Sequence, residues 1–100
     1  MSAPVVLVVT RHPALVRYLR EVVDLPPDTP VVTHVSDPAD LAGKHVYGVL
    51  PINLAAHALC VTIVPLRIPA ELRGQELSLA QVRAFAGELE TFKVNRIGAS

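Results

Sequence analysis

A chain of 100 residues with nine basic and nine acidic side chains is read as one domain, and its balanced charge excludes a long-range pull toward duplex nucleic acid or a membrane surface. The single cysteine, Cys60, excludes an internal disulfide and a cysteine metal cluster, while the lack of a spanning apolar run or a secretory leader points to a cytoplasmic protein. Hydrophobic residues make up 51% of the chain and mean hydropathy is +0.43, which leaves apolar surface for a subunit contact, so a homodimer is expected.

Val5-Val6-Leu7-Val8-Val9 is a run of consecutive, mostly β-branched apolar residues, the pattern of a strand covered on both faces in a parallel sheet. Thr10, Arg11 and His12 fall at its carboxyl end, and Pro13 suits the first turn of a helix because the amide it lacks would have no intrahelical partner there. Leu15, Val16, Leu19, Val22 and Val23 then recur at helical spacing until Asp24-Leu25-Pro26-Pro27 stops them. Val31 to Val35 reads as a second, shorter strand with His34 near its carboxyl end.

Ser36 to Gly43 holds a capping residue, a proline and a glycine, and so reads as one helical turn or a loop. His45 to Leu50 is the third strand, and the alanine-rich Ile52 to Leu59 suits a helix packed closely on the sheet. Val61 to Leu66 is the fourth strand; Pro65 within it has no amide for a ladder, which predicts an edge or a bulge. A loop from Ile68 to Leu77 leads to Ser78, an N-cap with Gln81 at the capping-box position, and Leu79, Val82, Phe85, Ala86, Leu89 and Phe92 fit one face of a closing helix. Val94 to Ser100 is a short tail.

This order predicts a single small, doubly wound, Rossmann-like α/β domain over residues 1–100, with a mostly parallel sheet of four strands in the order 2-1-3-4. Ligands of such sheets bind outside the carboxyl ends of the strands where the order reverses, here between the first and third strands. Arg11 and His12 beside a helix N-terminus combine a fixed charge, a group titrating near neutrality and unpaired amides, which makes a sound phosphate site, although two polar residues after a strand are also ordinary turn residues. Leu50-Pro51-Ile52-Asn53 ends the third strand, and Asn53 can orient a hydroxyl or phosphate or simply cap a helix. Arg73-Gly74 can place a second guanidinium over the same edge. His34 lies on that edge, His45 faces the opposite one, and His57 sits too far along its helix to reach the crevice. No glycine-rich dinucleotide fingerprint, P-loop or paired-histidine metal motif is present, so neither a cofactor nor a metal site is expected.

Thr10-Arg11-His12-Pro13, His34 with Asp37-Pro38, Gly48 through Ala56, and Pro69 through Leu77 resemble, in order and spacing, a small CRISPR-associated accessory family of type III systems. The likeness covers nearly the whole chain; it departs at Gly43-Lys44 and Gly48-Val49, where the family pattern has Gly-Asp and Gly-Thr. The resemblance implies a dimer with a fold like that of the CARF sensor domains, acting as a ring nuclease on cyclic oligoadenylate, with cyclic tetra-adenylate as the expected ring. His12 would then move the proton while Arg11 and Arg73 neutralise the phosphorane, with Thr10, His34, Pro51, Asn53 and Gly74 holding the ligand. The rival reading is a protein that binds the ring without cutting it.

Overall fold

The computed structural model describes residues 5–98, so the last two residues of the tail read from Val94 to Ser100, and residues 1–4 of the expected domain, lie outside it. A five-stranded sheet in the order β2-β1-β3-β4-β5 forms its centre. β1 (Val5–Val9), β2 (Val31–Val32), β3 (Lys44–Gly48) and β4 (Cys60–Ile63) run parallel, and β5 (Glu90–Phe92) lies antiparallel to β4. Three helices, α1 (Pro13–Val22), α2 (Ile52–Ala55) and α3 (Leu79–Phe85), and two 3-10 turns at Pro38–Leu41 and Ala70–Leu72 connect them.

Alternation along the strands sends successive side chains to opposite faces and builds two cores. Leu7, Val9, Val46 and Val61 pack with Leu41 of the first 3-10 turn and Ala55 of α2. Val8 and Tyr47 pack instead with Leu15 and Leu19 of α1 and Val82 of α3. Apolar layers on both faces explain why β1 is an unbroken apolar run, as a parallel strand buried on two sides must be. Glu21 of α1 and Arg83 of α3 form an exposed ion pair across the helix layer.

The parallel order 2-1-3-4 is present, but a fifth strand extends it. The closing helix expected to run through Phe92 ends at Phe85; Ala86 bridges to Leu66, and the Gly87 amide donates to the Pro65 carbonyl at 2.7 Å. Leu89 and Phe92 fit a helical face, but glycine disfavours helix between them and Phe85, and the chain instead covers the open edge of β4. β4 is therefore an inner strand rather than the expected edge or bulge, and Pro65 lies beyond its last residue.

Other elements are shorter than their sequence patterns. β2 spans two residues, and α2 stops at Ala55, after which the Leu59 amide donates to the Lys44 carbonyl at 2.9 Å and turns the chain into β4. β3 begins at Lys44 and ends at Gly48. Gly48 sits at φ +132°, where a Cβ would lie 1.9 Å from the Val9 carbonyl oxygen, so only glycine lets β3 end tight against β1.

Candidate functional site

At the carboxyl edge of the sheet the chain leaves β1 toward β2 on one side and returns as β3 on the other. Val9 and Gly48, the last residues of these adjacent strands, are register partners. An open hollow of about 490 Å³ lies there, lined by residues following β1, β2 and β3. Its position is the one expected for a ligand site in an open α/β sheet.

The β1–α1 junction contributes Thr10, Arg11 and His12 to the hollow. His12 is the N-cap residue of α1, held in extended conformation with Pro13 behind it. Its amide donates to Thr10 Oγ1 at 3.1 Å, and the Thr10 amide donates to the Val32 carbonyl at 2.9 Å, so the junction is tied both to itself and to β2. No acidic residue occupies the first turn of α1, whose positive dipole end therefore remains uncompensated.

Thr33 and His34 enter from the segment after β2, with Thr33 Oγ1 and His34 Nδ1 3.3 Å apart. Which of the two atoms carries the hydrogen follows the imidazole tautomer, and either arrangement leaves Nε2 of His34 open. The third side of the hollow is made by Gly48 to Pro51, and its floor is apolar, including Val9, Leu15 and Leu54. Among the described residues no carboxylate lines it, and the side chains of Arg11 and His12 make no hydrogen bond or ion pair. Two imidazoles and a guanidinium on an apolar floor suit an anion with attached apolar rings, and supply the proton donors and acceptors needed for acid–base work.

Thr10, Arg11, His12, His34 and Pro51, proposed from five positions in the sequence, thus line one hollow. Asn53 does not. It lines a neighbouring hollow of about 670 Å³ together with His57, Asn95 and Arg96, and Leu54 stands between the two as a shared wall. Arg73 and Gly74 line neither; they follow the 3-10 turn at Ala70–Leu72, where the Arg73 amide donates back to the Ala70 carbonyl at 3.3 Å. The loop carries local hydrogen bonds of its own, with the Gln75 side chain donating to the Glu71 carbonyl at 3.3 Å.

Thr33 and Gly48 were missed as lining residues; the signals for them were adjacency to His34 and a glycine at a strand's carboxyl end. His45 lies near the opposite end of β3, where its Nε2 is 2.6 Å from Thr62 Oγ1, which is in turn 2.7 Å from Thr91 Oγ1. The ring stacks on Tyr47 at a centroid distance of 4.4 Å, and partial burial pulls the imidazole below its ordinary pKa. Among the described residues no cluster of three or more His, Cys, Asp or Glu is arranged to hold a metal ion, and no helix is long and apolar enough to cross a membrane.

A family model described as "Putative CRISPR-associated protein (Cas_VVA1548)" matches residues 7–95, which takes in both hollows up to Asn95 and all five strands except the start of β1. Comparison with curated proteins and with solved structures finds no match.

Proposed function

The chain belongs to the Cas_VVA1548 family of CRISPR-associated proteins, and on that premise we propose that it is a ring nuclease that cuts cyclic oligoadenylate, with cyclic tetra-adenylate as its ring, by metal-independent transesterification. The observation that carries this reading is the convergence of Thr10, Arg11, His12 and His34 on one carboxylate-free hollow at the switch point of the sheet. A phosphodiester brings the negative charge that such a hollow lacks, and an adenosine brings the flat apolar body that its floor accepts.

Cutting RNA in this way needs no external nucleophile. The ribose 2′-oxygen attacks the adjacent phosphorus, the bond from phosphorus to the 5′-oxygen breaks, and the product carries a 2′,3′-cyclic phosphate. The proton lost by the 2′-hydroxyl passes to a base, and the departing 5′-oxygen takes one from an acid. Because the nucleophile is already tethered, orientation accounts for much of the rate. His12 moves one of these protons, His34 is placed to move the other, and Arg11 neutralises the crowded phosphorane. Arg73, outside the hollow, has no part in this version of the mechanism.

The active form is a homodimer whose two-fold axis faces the two hollows toward each other, so that a ring with rotational symmetry meets two copies of Arg11 and His12. Val49 and Ile52 support this arrangement, since they stand on the rim 77% and 76% exposed. Incubating the purified protein with labelled cyclic tetra-adenylate in the presence of a chelator tests the reading. Linear di-adenylate ending in a 2′,3′-cyclic phosphate is the expected product. An intact ring in stoichiometric complex would replace the nuclease with a binding protein, and an intact ring left free would end the assignment to this ligand.

A further inference from the structure

The neighbouring hollow is built from two segments far apart in sequence. Asn53 in α2 and His57 in the turn after it form one side, and Asn95 and Arg96, just beyond β5, form the other. Both segments are anchored: Leu54 and Val94 pack against the core beneath the sheet, and Lys93 Nζ donates to the Leu59 carbonyl at 3.4 Å. The backbone that carries the four polar residues is therefore fixed on both sides of the hollow, and their side chains are exposed.

Four features specify the occupant. Arg96 supplies a fixed positive charge and His57 a second nitrogen donor, while among the described residues no carboxylate lines the hollow. Asn53 and Asn95 each offer a primary amide that both donates and accepts, as recognition of a heterocycle edge requires. Ile52, Leu54 and Val94 give an apolar wall. Among the described residues none of the four polar side chains is engaged in a hydrogen bond or ion pair with another. Finally, about 670 Å³ is ample for a small ligand.

We infer that this hollow is a second nucleotide site, with Arg96 on the phosphate, Asn53 and Asn95 on the base or ribose edge, and the base against Leu54. A bare anion would leave both amides and the apolar wall unused, and an apolar ligand would gain nothing from the guanidinium and imidazole. Leu54, shared with the first hollow, makes the two sites neighbours on one rim. The second site stands on its own lining residues and does not depend on a ring being cut in the first.

The test is a titration of the ¹⁵N-labelled full chain with adenosine 5′-monophosphate, with adenosine and inorganic phosphate as separate arms. The side-chain amide resonances of Asn53 and Asn95 report the site directly and should move with the nucleotide. Arg96→Ala should weaken that response by about tenfold or more, the worth of charge-assisted hydrogen bonds to a phosphate, and adenosine should bind weaker by a similar factor. The same spectra show whether the variant keeps its fold. Amide resonances that stay still, that move equally with phosphate or adenosine alone, or that move unchanged in Arg96→Ala would overturn the inference. Because the readout is binding, its failure is distinguishable from failure of the labelled-ring assay.

Discussion

His12 holds two positions at once: its backbone opens α1 as the N-cap, and its ring enters the hollow unpartnered among the described residues. A group so placed can exchange a proton with a ligand without first breaking an internal hydrogen bond. His12→Ala should lower turnover of the labelled ring by about 10²-fold or more while leaving binding within about tenfold, the usual worth of a general acid or base; unchanged turnover would pass the role to His34. Gly48 is the complementary case, where the missing side chain matters. Its φ of +132° and the Val9 carbonyl oxygen standing where a Cβ would go mean that Gly48→Ala should destabilise the fold by about 2 kcal/mol or more, measured by chemical denaturation. Arg11 and His12 were legible in the sequence because an apolar strand followed by proline fixes which edge they occupy. Asn53 and Arg73 were not, since the direction of one side chain on a four-residue helix, and the path of the loop that carries Arg73, depend on packing that no local pattern encodes.

The same contrast holds for whole elements. β1, α1 and the parallel pairing were readable because their apolar periodicities are long enough to exclude alternatives. Glu90–Phe92 was not, because Leu89 and Phe92 serve a helix as well as a strand, and only the unpaired edge of β4 decides between them. What then secures so short a strand to the sheet includes the chain of contacts from His45 through the buried Thr62 to Thr91. Burial disfavours the His45 cation, so its pKa in the folded protein lies below the ordinary 6.5. The unfolded chain therefore takes the proton first. The contribution of His45 is complete above about pH 6.5 and is lost as pH falls through the folded-state value. The melting temperature should drop between about pH 7.5 and about pH 5.5, and His45→Asn should reduce that drop. A slope unaltered in the variant would assign the effect to another group.

For the molecule as a whole, equal numbers of acidic and basic residues conceal an uneven distribution. Among the described residues no carboxylate lines either hollow on the carboxyl rim, while ion pairing between Glu21 and Arg83 lies across the helix layer. A neutral chain can hold a polyanion in this way, by focusing a few cations where the ligand sits instead of by long-range attraction. Part of the exposed apolar surface is gathered in one place: Val49, Ile52 and Phe92 border one groove that Leu50, Ile63 and Val94 continue. A second copy covering that groove would remove exposed apolar surface from water and bring two carboxyl rims together, which connects the composition to the symmetry of the proposed ligand. The chain should accordingly sediment at twice its mass of 10.7 kDa at micromolar concentration. Ile52→Glu replaces a side chain 76% exposed in the single subunit, so it should leave the fold intact yet shift the protein to monomer, and cleavage of the labelled ring should fall with the dimer fraction. A wild-type monomer would remove the shared cup, and a monomeric Ile52→Glu protein that still cuts at full rate would place the whole reaction within one subunit's hollow.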